Sequence, residues 1–223
     1  MDKQFTVKAI ASTRWFNLSQ QNFIPQVSID CVIFGYQNRQ LKVLIPKLSY
    51  TGDFFVLPSG FVLQDEDIDE AAHRILSERT SIDGIYLEQF QVYGKPKRDP
   101  IERTLSVAYF ALIDINKYQT QLNADYHAEW FAVDQRPELI FDHDAMVADA
   151  RKKLRYKAAL HPILFELLPS KFTLPQLQIL FEAVNDMKID TGNFNRKMNS
   201  TGLLVRLEEK DKSASKKGAY YFR

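Results

Sequence analysis

Residues 57–82, LPSGFVLQDEDIDEAAHRILSERTSI, hold the groups in this chain best suited to managing a cation or a phosphate. Glu66, Glu70, Arg74 and Glu78 follow Gly60 in a segment of helical period. Mg²⁺ takes oxygen ligands in near-octahedral geometry and is usually held by one or two carboxylates together with substrate phosphates. Positions 75, 78 and 79 are the i, i+3, i+4 set that would gather three carboxylates on one helix face. Here Ile75 is apolar and Arg79 is positive, which leaves Glu78 alone. Glu78 beside Arg79 makes a poor magnesium site. Glu66 and Arg74 suit a polar tie between loop and helix.

A second set lies at the C-terminal end. Asn193, Asn195, Arg196, Lys197 and Asn199 fall on one short helical segment, and Lys210, Lys212, Lys216 and Lys217 cluster shortly after it. Arg and Asn make bidentate contacts with guanine and adenine edges in the major groove. Lysines in a loop reach phosphates, which add affinity without reading sequence. Thr173, at the start of the preceding helix, is counted with the DNA-contacting residues.

These groups need elements to position them. VSIDCVIFGY and LKVLIPKL read as two strands joined by a hairpin at QNRQ. The helix after Gly60 takes Asp65 as its candidate N-cap, with Glu66, Asp67 and Asp69 at the positive end of its dipole. Ile68, Ala71, Ala72, Ile75 and Leu76 form its apolar face. Glu70, Arg74 and Glu78 run along another face as i,i+4 partners. IYLEQFQVYG, TLSVAYFALID and HAEWFAV read as further strands, and KPKRDPIER between the first two reads as an exposed loop. The order β, β, α, β, β, β defines a mixed α+β domain.

Residues 143–168 are helix-compatible, with Pro162 as a break. Beyond them, FTLPQLQILFEAVND has Thr173 as N-cap and Gln176 to complete a capping box, with Phe172 and Leu177 as a hydrophobic staple. A second helix starts at Asp190 or Thr191 and ends before Gly202. LLVRLEE and AYYFR read as strands around the polar turn KDKSASKKG. Helix, turn, helix, strand, basic loop, strand is the outline of a winged helix-turn-helix. The expected organisation is an N-terminal arm at 1–25, a mixed domain at 26–142, a helical linker at 143–168 and a winged helix at 169–223. Trp15, Phe16 and Phe23 give the arm apolar groups to pack on a neighbour.

The charge balance agrees with this division. The whole chain carries +1, but from Lys171 onward ten Lys/Arg face six Asp/Glu, a net of +4 that leaves −3 for the rest. The one cysteine, Cys31, excludes an intrachain disulfide framework. No signal peptide or apolar run of membrane-spanning length is visible, so a cytoplasmic protein without a membrane partner is expected.

In this setting residues 57–82 resemble the Nudix signature: a Gly, five residues, a Glu, seven residues, an Arg-Glu pair, then a Glu-Glu pair and a Gly. Gly60, Glu66, Arg74 and Glu78 match it, while Ile75, Arg79 and Ser81 depart from it. From about residue 26 to 223 the chain resembles the Nudix-related transcriptional regulators of bacteria. The points of resemblance are LPSGFV, YLEQFQVYGKPKRDP…SVAYFAL, the FDHD at 141–144 and FTLPQLQILFEAV…NFNRKM…GLL.

The resemblance implies a dimeric repressor or activator on double-stranded operator DNA. Its old substrate cleft would sense an ADP-ribose-like NAD metabolite or a sugar such as L-arabinose. A diphosphate effector would engage Lys95, Lys97, Arg98 and Arg103, with Arg79 in place of metal charge. A sugar would engage Asp99, Glu78, Tyr93 and Tyr109. No catalytic residue and no cofactor are expected on this reading. The alternative is an active Nudix hydrolase of a nucleoside diphosphate derivative such as ADP-ribose, with Mg²⁺ held by Glu78 and by Glu66 or Glu70.

Overall fold

The computed structural model of the chain describes residues 26–49, 53–81, 83–100, 102–118, 128–213 and 217–223. The expected arm at 1–25 and Lys216 lie outside these residues. The first unit is built from β1 (Gln26–Gln37), β2 (Gln40–Ser49), β3 (Asp53–Phe55), β4 (Ser59–Phe61), α1 (Ile68–Thr80), β5 (Tyr86–Tyr93), β6 (Thr104–Ile113), the short α2 (Ile115–Tyr118) and β7 (Ala128–Ala132). The long helix α3 (His143–Leu160) and a 3-10 segment (Ile163–Leu167) follow. The last unit comprises β8 (Phe172–Thr173), α4 (Leu174–Asn185), α5 (Thr191–Ser200), β9 (Arg206–Asp211) and β10 (Ala219–Phe222).

The large sheet runs β3-β2-β1-β6-β5, with β4 also on β1 and β7 on β2. At its centre β1 and β6 pair in parallel, from Gln26 opposite Thr104 to Gly35 opposite Ile113. Both strands are near-continuous apolar runs, as strands covered on two faces must be. Alternation divides their side chains. Ile29, Cys31 and Ile33 of β1 face α1, where Ala71, Ala72, Ile75 and Leu76 meet them. Val32 and Phe34 face the other way, toward Met146, Val147, Ala150 and Leu154 of α3. The hairpin at QNRQ is present, and Asn38 and Arg39 take φ of 53° and 62°, the positive pair that a two-residue hairpin turn requires.

The C-terminal unit follows its expected outline. Thr173 and Gln176 form a reciprocal capping box on α4, and Asp190 caps α5 through the Asn193 amide. Phe172 and Leu177, the expected staple, are both buried. β8, β10 and β9 form a small antiparallel sheet, with Val205 and Arg223 exchanging backbone bonds at its end. The apolar cluster under α3 continues into this unit, through Leu164 and Leu167 to Leu177, Leu180, Val184, Phe194 and Met198. No described helix is long and apolar enough to cross a membrane.

Three expectations are corrected. Helix α1 is capped by Asp67, not Asp65, because only Asp67 has a glutamate three residues on, Glu70, to return the bond. Two short strands, β3 and β4, stand before α1 where none was expected. The loop KPKRDPIER is not wholly exposed: Arg98 is buried within it.

Candidate functional site

The cleft residues rest on the β4–α1 junction. Arg74 reaches back from α1 and grips Glu66 with two bonds, Nη2 to Oε1 at 2.6 Å and Nε to Oε2 at 2.8 Å. The same guanidinium donates to the Phe61 carbonyl at 2.9 Å and, through Nη1, to Glu78 at 3.2 Å. Glu66 also accepts from the Leu63 amide at 2.7 Å. The Arg74 hydrogen bonds, with the Leu63 amide adding to them, bring the Glu66 carboxyl down to about 2. Glu66 and Arg74 thus form the loop-to-helix tie that their spacing implies, and Glu78 is drawn into it. Glu70 belongs to the helix cap instead, accepting from the Asp67 amide at 2.9 Å.

The helical face that would carry a metal is dismantled. Ile75 is fully buried among Ile29, Cys31 and the alanines of α1. It lies so close to Gly60 that a Cβ there would come within 2.9 Å of its Cγ1, so glycine is needed for the close approach. Arg79 donates from Nε to the Ser59 carbonyl at 3.1 Å. Among the described residues no three His, Cys, Asp or Glu side chains converge in a metal-holding group. The divalent ion of the Nudix pattern does not fit this donor set, because one ligand position is apolar core, one is cationic and the third is bonded to Arg74.

The loop after β5 divides its candidates. Lys95 and Lys97 are exposed. Arg103 donates to the carbonyls of Gly94, at 2.9 Å, and Thr104, at 3.3 Å, and so closes the loop on itself. Asp99 is half-buried. Tyr93 donates from its hydroxyl to Asp149 of α3 at 3.0 Å; burial, with that carboxylate adding to it, raises its phenol. Tyr109 is buried and bonds Asp69, which makes it a core group rather than an open sugar platform.

Arg98 is the centre of a buried polar cluster. It donates to both oxygens of Asp142, at 2.9 and 2.8 Å, and reaches Asp30 at 3.4 Å. Ser106 donates to Asp30 at 2.5 Å. His143 accepts at Nδ1 from the Leu57 amide at 3.1 Å, so its proton sits on Nε2, 3.5 Å from Asp30. Burial holds its imidazole below the ordinary histidine range. Sequence reasoning assigned Arg98 to an effector. The structure joins it to two carboxylates, and no local signal marks the cluster.

The C-terminal residues form one surface. Asn193, Arg196, Lys197 and Asn199 are exposed on α5, Asn195 is half-buried beside them, and Phe194 and Met198 anchor the helix from below. Lys212 and Lys217 are exposed on the β9–β10 hairpin. Sequence reasoning missed Arg206. It and Lys210 lie against the Tyr220 ring, at 4.5 and 4.2 Å from its centroid, and so hold two cations on the hairpin. Thr173 is corrected: it is buried with its hydroxyl in the capping box, out of reach of any nucleic acid.

Two family models match the chain: residues 24–152 match the NUDIX domain, and residues 164–223 match the NrtR DNA-binding winged helix domain. The chain is 35% identical to the ADPR responsive transcriptional repressor NtrR of Acinetobacter baylyi, over 89% of this chain and 82% of that protein. Its fold superposes on Shewanella oneidensis NrtR complexed with a 27mer DNA with a TM-score of 0.79 at 29% identity, covering 88% of this chain and 92% of that one. The NUDIX domain of the same Shewanella protein complexed with ADP ribose matches with a TM-score of 0.53 at 27% identity, over 69% of this chain and 99% of that one. With its degenerate Nudix helix, its exposed basic reader and these matches, the chain belongs to the NrtR family of NUDIX-domain transcriptional regulators.

Proposed function

We propose that this protein is an ADP-ribose-responsive repressor that binds operator DNA through its winged helix and senses its effector in a Nudix cleft without catalytic activity. The observation that carries the reading is the state of the Nudix helix. With Ile75 in the core, Glu78 bonded to Arg74 and Arg79 on the Ser59 carbonyl, the Nudix helix lacks the gathered carboxylates of a hydrolase. It needs no metal in this role. Exposed Lys95 and Lys97 of the 95–103 loop offer positive charge to an anionic diphosphate, and this favours ADP-ribose over a neutral sugar such as L-arabinose.

The protein acts as a homodimer. Each copy lays α5 into the major groove of one half-site of a near-palindromic operator, with Asn193, Asn195, Arg196 and Lys197 toward base edges and Lys212 and Lys217 toward phosphates. Helix α3 connects cleft to reader. Tyr93 and Glu88 of β5 bond its Asp149 and Lys157, at 3.0 and 2.9 Å, and its Arg155 donates to the Val184 carbonyl of α4 at 2.7 Å. ADP-ribose shifts DNA binding only by preferring one arrangement of this connection to another.

A gel shift with duplexes from the promoter regions flanking its own gene tests the reader. Arg196→Ala combined with Lys197→Ala abolishes the shifted band, and unchanged affinity removes α5 from the interface. Calorimetric titration with ADP-ribose and with L-arabinose tests the sensor. Incubation with ADP-ribose and Mg²⁺ or Mn²⁺ tests the loss of catalysis: brisk turnover that Glu78→Gln abolishes would restore the hydrolase reading.

A further inference from the structure

Asp142 stands at the N-cap of α3, yet no side chain caps that helix. Both Asp142 carboxylate oxygens accept from Arg98 instead. Its backbone, at φ −101° and ψ 16°, lies outside the extended region that N-cap residues adopt. Phe141 just before it has φ of 58°, a left-handed conformation that is unfavourable for a bulky side chain. Full burial does not impose this conformation, because Phe141 is 46% exposed. The segment is held by Arg98 on Asp142, by the Leu57 amide on His143, by the backbone bond from the His143 amide to the Ile140 carbonyl, and by the edge-on contact of the Phe141 ring with His143. The sequence therefore contains a capping carboxylate, a helix end that lacks a cap, and a strained residue between the sheet and that helix. One arginine from the cleft loop keeps the carboxylate from the cap.

We propose that residues 141–143 form a bistable joint, and that Arg98 is the positioning residue coupling the cleft loop to the reader. In the clasped state, Arg98 holds Asp142 and Phe141 is left-handed. In the released state, Arg98 moves away with its loop, Asp142 turns back to cap the amides of Asp144 or Ala145, and Phe141 relaxes. Asp30 keeps Ser106 and His143 as partners in both states. The proposal rests on the reading that an ADP-ribose-like diphosphate enters the cleft. Exposed Lys95 and Lys97 flank Arg98 on the same loop, so an anion that gathers them draws Arg98 off Asp142. The change reaches DNA through the far end of α3, where Arg155 bonds the Val184 carbonyl.

Phe141→Gly and Phe141→Ala test the joint. Both remove the ring, so any contact of the ring with the ligand is lost equally. Only glycine adopts positive φ freely. Glycine therefore favours the clasped state over the released one by about five- to thirtyfold more than alanine does. The structure shows the clasped state, and with that state dominant the factor appears in the apparent affinity for a ligand selecting the released state. In calorimetry, ADP-ribose binds the glycine variant at least about fivefold more weakly than the alanine variant, and equal affinities overturn the proposal.

Amide exchange tests the joint without ligand. Arg98→Gln frees Asp142 to cap, so the amides of Asp144 and Ala145 become more protected than in the wild type. A merely structural salt bridge predicts the opposite, and unchanged or lower protection overturns the proposal. If that variant does not fold, Arg98→Lys, which keeps the charge but loses the two-pronged geometry, is read the same way. Failure of wild-type protein to bind ADP-ribose removes the effector reading, and the exchange result then decides the joint by itself.

Discussion

Ile75→Glu would return to this chain the carboxylate that the Nudix pattern carries after its arginine, and the geometry predicts lost stability rather than a regained metal. Ile75 has no exposed surface and packs on β1 and against Gly60. Losing its apolar burial costs about 2 kcal/mol. Placing an uncharged, unpartnered carboxyl in the same site costs about 1–3 kcal/mol more. The variant is thus less stable by about 3–5 kcal/mol even in acid, out of a total that for such domains is about 5–15 kcal/mol.

Burial also raises the folded-state pKa of the introduced carboxyl above its unfolded value of about 4.3. Above pH 4.3 the folded state then binds more protons than the unfolded state. Stability therefore falls by up to about 1.4 kcal/mol per pH unit, until the folded pKa is passed. Urea melts at pH 4 and pH 7, with and without Mg²⁺, measure this. A variant as stable as the wild type at pH 7, with a midpoint that rises on adding Mg²⁺, would refute the reasoning, because the side chain would then point into the cleft.

Further outcomes follow from other contacts. Asp30→Asn leaves buried Arg98 with one carboxylate instead of two and lowers the urea-derived stability by about 3 kcal/mol. Thr173→Ala removes the capping box of α4 and costs about 1 kcal/mol, read as a lower melting temperature. In a carbon-13 NMR titration the Glu66 carboxyl has its midpoint at about 2, and Arg74→Ala moves it up toward the ordinary glutamate range. Because this group's folded pKa is depressed, its contribution is present above the unfolded value of about 4.3 and is lost as pH falls through about 2. Lys212→Ala and Lys217→Ala each lower the slope of log affinity against log salt by about 1 while leaving the preference among operator variants intact.

What could be read from the sequence was whatever is encoded within a few residues. The apolar face of α1, the capping box at Thr173 and Gln176, the start of α5 at Asp190 and the turn at Asn38-Arg39 each depend on neighbours three or four positions apart. The misplaced N-cap of α1 was readable in principle. Asp65 has Ile68 at the position where Asp67 has Glu70, and only the second spacing closes a reciprocal bond. Ile75 shows the limit of the pattern. Its departure from the signature was plain, but only the contact with Gly60 shows that the position belongs to the core.

The polar cluster was not readable. Arg98 sits among other charges in a proline-rich stretch, and its partners Asp30 and Asp142 are 68 and 44 residues away. The parallel pairing that sets Asp30 opposite Ala108, and so within reach of Ser106 two residues along the same strand, is equally remote. Arg206 escaped notice for the same reason, since Tyr220 approaches it only when the hairpin closes.

Because the same apolar cluster runs from Phe34 and Val43 of the sheet through Leu154 to Leu177 and Phe194, a cut near Pro169 would divide one apolar core between two pieces. A fragment ending there would expose a greasy underside, and the released reader would have no base. Sensor and reader should therefore melt together in one cooperative transition. Exchanging winged helices between relatives should succeed only when the matching surfaces of the sheet and α3 travel with them.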